Sequence, residues 1–362
     1  MSTIMSALNL ADSQRTYVGQ LGKALVFDAI NQALAEHAAD VAAALSVFVE
    51  RTTENYTERY LLPGGGKLQE LGEQSAPGAV KRSGYWDIAF PIREWGASFG
   101  GSRVGLAYMT VQELDAHLNT IMAQDLNTMR WRVLTALFED TNLSWTDPKW
   151  GSLTIRRLAN TDGTLYPPVV GSETEADDQH YVGVEYDPAS IDSTHNPVPN
   201  AVSELVEHTG GQKQYGNSIV IFHNNDATAY LAALSDFVAV QEQFVVPGAT
   251  TATLAGLPTN IPGRVHGRVD GAFLSEWRWI PAGYAVALDL NEPKPLIMRV
   301  DPSDTGLGSG LQLVARDAAY PLESSYYSHR FGLGCGNRLN GYVVYMDDES
   351  GGTYAPPSGY SE

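Results

Sequence analysis

Two stretches decide how this chain reads: Tyr85-Trp-Asp-Ile-Ala-Phe-Pro-Ile92 and Thr110-Val-Gln-Glu-Leu-Asp-Ala-His-Leu118. In the first, Trp86, Ile88, Phe90 and Ile92 alternate with Asp87, Ala89, Pro91 and Arg93. A period of two gives a strand with one buried and one exposed face. Pro91 has no N–H to give to a ladder, which marks an edge strand. Upstream, Tyr56-Thr-Glu-Arg-Tyr-Leu-Leu62 supplies a partner strand. The polar stretch between them carries Pro63-Gly-Gly-Gly-Lys67 and Ala76-Pro-Gly78. The pattern predicts a long β-hairpin over 56–95. Two strands alone bury no core and are marginal in water. The hairpin therefore needs a second surface, in this chain or on a neighbouring copy.

The second stretch opens a helix predicted over 110–139. Thr110 stands three residues before Glu113, the spacing of a capping box. Val111, Leu114, Leu118, Ile121, Met122, Leu126, Met129, Val133 and Leu137 recur at steps of mostly three and four, forming one apolar stripe. No Gly or Pro interrupts the run before Asp140. At ~1.5 Å per residue the rod is about 45 Å long.

Outward from this pair the chain alternates in character. Met1–Lys23 is polar and reads as an arm, and Val26–Arg51 has helical spacing around an alanine-rich middle. Residues 145–199 carry many turn signals between short β-like runs. Ala201–His208 reads as a short helix. Ser218-Ile-Val-Ile-Phe222 reads as a buried strand, and His223-Asn-Asn225 as the turn capping a helix over Asp226–Val240. That strand–turn–helix unit makes this half α/β. Phe273–Trp279 and Ala285–Leu290 are expected to pair through Ile280-Pro-Ala-Gly283, with further strands at Leu311–Val314 and Gly341–Met346. Asp347–Glu362 is acidic and rich in Gly, Pro and Ser, and reads as a flexible tail.

A chain of 362 residues with 43% hydrophobic content can fill substantial cores. Its net charge of -19 argues against wrapping nucleic acid, which needs clustered Lys and Arg. Containment without tight binding stays open. Cys335 is the single cysteine, so no intrachain disulfide forms. No basic segment followed by an apolar run opens the sequence, and Val41–Val49, the longest apolar stretch, is far too short to span a bilayer. A soluble protein without a membrane partner is expected.

Catalytic patterns are sparse. The eight histidines form no HxH or HExxH spacing, and no CxxC exists, so neither metal nor cofactor is expected. Gly306-Leu-Gly-Ser-Gly310 puts its serine in the wrong slot for a nucleophile elbow. Gly332-Leu-Gly-Cys-Gly336 lacks the G-K-[ST] of a phosphate loop. No carboxylate pair is singled out by spacing, which leaves a hydrolase without its machinery. The long helix and the 218–240 unit speak against a β-rich tail or binding module.

The order of elements resembles the major capsid proteins of tailed bacteriophages, whose shell fold is named for phage Hong Kong 97. The helix from Thr110, the Ser218–Phe222 unit, Leu274-Ser-Glu-Trp-Arg-Trp-Ile-Pro-Ala-Gly283 and Phe331-Gly-Leu-Gly-Cys-Gly-Asn-Arg-Leu-Asn-Gly341 carry that resemblance, which spans most of 51–346. It implies an α+β chain. The N-terminal arm and helix would be 1–51 and the E-loop hairpin 52–99. A P-domain over 100–152 would hold the spine helix 110–139. An α/β A-domain would follow at 153–300, with a return to the P-domain over 301–346 and a tail at 347–362. It further implies a non-enzymatic subunit that builds hexamers and pentamers of an icosahedral virion shell, assembled in the host cytoplasm around double-stranded DNA that it does not read. Its partners would be copies of itself, with a separate scaffold, portal and decoration protein as further possibilities. A bacterial nanocompartment shell of the encapsulin type shares the fold and is the alternative. Tyr60, Leu61, Leu62, Lys67, Leu68, Tyr85 and Trp86 are the inter-subunit contact candidates, although the same side chains have the option of packing within their own subunit. Some relatives weld subunits by a Lys–Asn isopeptide bond. Lys67 with Asn337 or Asn340 is a loose match, and a non-covalent shell is the default expectation.

Overall fold

The computed structural model describes residues 16–54, 56–62, 84–100, 105, 108–169, 172, 178–208, 218–239, 261–315, 324–347, 349 and 351–360. The predicted long helix is α3, Val111–Phe138, preceded by the short α1, Val18–Leu21, and by α2, Lys23–Leu45. Its start forms the predicted capping box. The Glu113 N–H donates to Thr110 Oγ1 at 3.2 Å, and the Thr110 N–H to Glu113 Oε2 at 2.9 Å.

Two larger sheets flank α3. In the first, β15 (Ser324–Cys335) is the central strand. It pairs antiparallel with β4 (Arg93–Gly100), β13 (Leu296–Arg299) and β14 (Gln312–Ala315), while β1 (Val49–Thr52) runs parallel to β13. The second sheet has seven strands. Their order is β7 (Tyr181–Val184), β16 (Tyr342–Met346), β12 (Tyr284–Asp289), β8 (Ile219–His223), β11 (Ala272–Glu276), β10 (Arg264–Val269) and β9 (Val238–Ala239). Two hairpins complete the described strands, β2 (Thr57–Leu62) with β3 (Gly84–Ala89), and β5 (Leu143–Asp147) with β6 (Gly151–Ile155).

The apolar stripe of α3 is shared between two cores. Its first half, Val111 to Met122, packs with Val26, Ile30 and Leu34 of α2 and with Tyr327 of the first sheet. Its second half, Met129 to Phe138, packs with Phe48, with Val220, Phe222, Val286 and Val343 of the second sheet, and with Leu333 and Cys335 of the first. Alternate residues of β8 face opposite ways. Ile219 and Ile221 join a third core under α4 (Val198–Glu207) and α5 (Asn225–Leu231). This is why the Ser218–Phe222 run is apolar throughout: β8 is covered on both faces.

Five expectations change. The strand predicted over Tyr85–Ile92 stops at Ala89, and β4 begins at Arg93, beyond Pro91. β4 then leaves the hairpin for β15, so the 52–99 unit ends sooner than its pattern implied. The Phe273–Trp279 and Ala285–Leu290 strands do not pair with each other, because β8 lies between them. The helix expected over Asp226–Val240 is only Asn225–Leu231. β16 belongs to the seven-stranded sheet and β13 to the other, the reverse of the division at residue 300.

The fifth concerns the expected flexible tail, which is docked. The Tyr354 hydroxyl donates to the Phe138 carbonyl at 2.6 Å, Tyr284 to Ala355 at 2.8 Å, and Trp131 Nε1 to Gly359 at 2.9 Å. The segment runs so close to β7 that a Cβ on Gly183 would meet the Thr353 and Tyr354 backbone at 2.5–2.7 Å. Tyrosine rings and a bare β7 position offset the composition that suggested disorder.

A buried hydrogen-bonded trio ties α2, α3 and β15 together. Asp125 meets His37 Nε2 at 3.0 Å and His329 Nδ1 at 2.6 Å. Burial alone would raise the Asp125 carboxyl. The hydrogen bonds of His329 and His37 outweigh it and hold the group below its usual 3.8. A depressed carboxylate stabilises the fold above its unfolded value, and that contribution is lost as pH falls through the folded one. Asp125→Asn is therefore expected to unfold at lower urea than wild type at pH 5. The gap between their midpoints should narrow toward pH 3.

Candidate assembly surface

The β2–β3 hairpin has two distinct faces. Tyr60 lies opposite Trp86 in the ladder, and their rings stack with centroids 5.9 Å apart. Trp86 is 3% exposed and packs with Ile88, Phe90 and Ile297, with its ring edge-on to Tyr166 at 6.0 Å. This is a small core built from the hairpin's inner face and β13. The outer face carries the next pairs in register, Leu61 with Tyr85 and Arg59 with Asp87. Leu61 is 51% exposed and Tyr85 59%. The Arg59 guanidinium grips both Asp87 oxygens at 2.7 Å and sits 4.1 Å from the centre of the Tyr85 ring. So exposed a pair adds little to stability. It does hold Tyr85 flat and outward, so a large apolar ring is presented to solvent at small entropic cost.

The hairpin is anchored at its base by a polar node. Arg338, fully buried after β15, donates from Nε to the Arg157 carbonyl at 2.8 Å and from Nη1 to Asp162 Oδ1 at 2.8 Å. Its Nη2 reaches Asn142 Oδ1 at 3.3 Å. Arg156 pairs with the second Asp162 oxygen and donates from Nε to the Asp87 carbonyl at 2.9 Å. Burial would raise the Asp162 carboxyl, but the charge and hydrogen bond of Arg338 hold it down at about 2. The Tyr56 hydroxyl adds a bond to Asp147 of β5. At the tip of the β5–β6 hairpin, Trp150 is 62% exposed, with Lys149 Nζ 5.0 Å from its ring centre. Two hairpins thus each offer an outward aromatic ring.

Of the residues singled out from sequence, Tyr60 and Trp86 face their own chain, while Leu61 and Tyr85 face solvent. Leu62 pairs with Gly84 at the end of the ladder. Lys67 and Leu68 lie outside the described residues. Asn340 is buried, its amide N–H groups donating to the Asp289 and Pro293 carbonyls at 2.9 and 3.0 Å. A buried amide so engaged is a poor target for a neighbour's lysine, which would have to reach its Cγ and expel the nitrogen as ammonia. Asn337 is less covered and bonds the Pro293 carbonyl at 2.9 Å. Cys335 is buried and its thiol is pushed up to about 12 by burial, which keeps it protonated and unreactive. Arg59, Trp150 and the Arg338 node were not picked out. Lys149-Trp150 beside the Asp147-Pro148 turn was the available signal for the tip. A buried arginine leaves none in a single sequence.

No protein-family model and no curated protein matches this sequence. Solved structures do match. A chain of Mycobacterium phage Patience aligns with 93% of this chain over 92% of its own length, at 18% identity and a TM-score of 0.65. The capsid of the empty GTA particle aligns with 84% of this chain and 90% of its own, at 12% identity and 0.46. The capsid of cyanophage P-SCSP1u aligns with 82% and 85%, at 9% identity and 0.47. These two scores fall below 0.5 and add nothing to the assignment. The chain has the fold of the phage Patience chain. The order of elements is thus shared with a phage chain, at the level of the fold. No helix among the described residues is long and apolar enough to cross a membrane.

Proposed function

We propose that this chain is the shell-forming major capsid subunit of a tailed phage. The observation that carries the reading is a fold shared with a phage chain along 93% of the sequence. In this reading β2–β3 is the E-loop, α3 is the spine of the P-domain with the five-stranded sheet, and the seven-stranded sheet is the A-domain. The outward pair Leu61 and Tyr85 supports a hairpin that lies across a second copy, because large apolar groups held toward solvent are typical of contact surfaces. Hexamers and pentamers closing an icosahedral shell belong to the same reading. The net charge of -19 supports containment of DNA over its recognition. Scaffold, portal and decoration partners belong to the same reading, as does assembly in a host cytoplasm and the absence of catalysis.

Electron microscopy of the purified protein, alone and with crude scaffold-containing extract, tests it. Closed particles or capsomer rings are the expected result. A monomer that stays monomeric across salt and pH in both preparations would overturn the proposal.

A further inference from the structure

At the edge of the seven-stranded sheet the fold gathers a cluster that the shell reading does not use. Asp178, His180 and His208 each offer one ligand atom, and the three atoms lie within 4.8 Å of one another. His180 immediately precedes β7, and His208 closes the C-terminal end of α4. Sequence spacing gives no warning, because the two histidines are 28 positions apart. The only local trace is Asp178-Gln-His180, whose i, i+2 spacing puts both side chains on one side of an extended segment.

The geometry of His180 is the decisive observation. Its side chain is fully buried, and its Nδ1 lies 3.2 Å from the Gly341 carbonyl. A carbonyl only accepts, so the ring hydrogen is on Nδ1 and Nε2 carries a lone pair. That Nε2 has no hydrogen-bond partner among the described residues, and it sits 3.8 Å from Asp178 Oδ2. Fixing one ring nitrogen on a backbone carbonyl while the other is left free is the usual outer-shell arrangement of a metal-binding histidine. His208 presents Nε2 to the same Asp178 oxygen at 2.9 Å. The two imidazole centroids lie 5.4 Å apart with planes 19° from parallel, both Nε2 atoms approach the one Asp178 oxygen, and Tyr166 stacks on His180 at 4.7 Å.

We propose that Asp178, His180 and His208 form a binding site for a divalent transition-metal ion of the zinc class. Tetrahedral ligands at about 2.0–2.1 Å stand roughly 3.3 Å apart. The distances of 2.9 and 3.8 Å therefore straddle the required spacing, and small side-chain rotations complete it. Two imidazoles and one carboxylate suit zinc, whereas calcium and magnesium prefer oxygen alone. The ion takes the place of the hydrogen that His208 shares with Asp178, and the neutral ring carries that hydrogen on Nδ1. Glu207, 3.4 Å from His208 Nε2, stands beside the fourth position. Asp178, Glu204 and Glu207 also bring three carboxylate oxygens within 4.8 Å of one another, a concentration of negative charge that a cation relieves. The Asp178 side chain is 17% exposed, which leaves an entry path. Bound there, the ion would pin the end of α4 to the edge strand of its sheet.

The site lies within one chain, so its test is independent of whether shells form. The full-length protein, stripped with chelator, is titrated with Zn²⁺ by calorimetry and with Co²⁺ by visible absorption. One equivalent per chain is expected, with the intense blue bands of four-coordinate cobalt and no displacement by excess Mg²⁺. Asp178→Asn and His208→Gln should each weaken Zn²⁺ binding by more than about 100-fold, beyond the 10–100-fold typical of an outer-shell loss. Zn²⁺ should raise the melting temperature of wild type and leave that of either variant unchanged. If His208→Gln folds poorly, Asp178→Asn decides, being isosteric and partly exposed. Absence of saturable binding by wild type, or unchanged affinity in a folded Asp178→Asn, would overturn the site.

Discussion

Leu61→Lys combined with Tyr85→Glu is expected to abolish particle formation while leaving the subunit folded. The two side chains face each other across the β2–β3 ladder, and both are more than half exposed. Opposite charges keep the cross-strand pair attractive, so the hairpin itself is not penalised. Surface changes of this kind usually move stability by no more than about 0.5 kcal/mol. Burial of the exposed half of each group against a neighbour would be worth roughly 1–1.5 kcal/mol, and a closed shell repeats that contact at every subunit. The loss is therefore multiplied through assembly while the monomer barely registers it. Sedimentation velocity and electron microscopy should find slow-sedimenting species in place of particles, with a circular-dichroism melt within a few degrees of wild type. Normal particles at normal yield would remove the outer face of the hairpin from the interface.

Arg338→Ala is expected to destabilise the subunit by about 3–5 kcal/mol, the usual cost of removing one partner from a buried ion pair. Arg338 is wholly inside the protein and joins Arg157, Asp162 and Asn142, three points brought together from 142 to 162. Its loss strands the Asp162 carboxylate and frees the base of the hairpin. Arg338→Lys should recover only part of the deficit, since an ammonium cannot span the planar fork. The pH dependence has a definite sign. Asp162 is held at about 2 in the folded chain against an ordinary 3.8, so its contribution is complete above the ordinary value and disappears as pH falls from there toward 2. Urea midpoints of wild type should fall across that window. Those of Arg338→Ala should fall much less.

The parts that were legible from sequence are those governed by local chemistry. Thr110 and Glu113 announce the start of α3, because a cap is satisfied within four residues. The stripe from Val111 to Leu137 announces its buried face, and a run of apolar residues at 218–222 announces a strand covered on both sides. What stayed hidden depends on partners far along the chain. Residues 273–279 and 285–290 look like a hairpin, yet a strand from residue 219 enters between them, and only the completed sheet decides that. Pro91 was legible as an edge signal. That the chain changes sheets there depends on β15, more than two hundred residues away. The segment after Asp347 has a disordered composition, but Tyr354 finds the last turn of α3. On the hairpin, the pattern located the two strands, and of the contact candidates named from it Leu61 and Tyr85 are exposed. The alternation sets Trp86 on the face opposite to Tyr85, and packing against Ile297 of β13 settles that it is the Trp86 face which this chain covers. Arg338 reads as an ordinary surface charge until the node around it is seen.

Because one uninterrupted helix contributes side chains to the core beneath α2 and to the core between the two sheets, neither core has a boundary at which it can come apart alone. Fraying α3 anywhere along its apolar stripe withdraws support from both ends. Differential scanning calorimetry of the dissociated subunit should accordingly give a single endotherm, with equal calorimetric and van't Hoff enthalpies, in place of the two peaks that separate halves would produce.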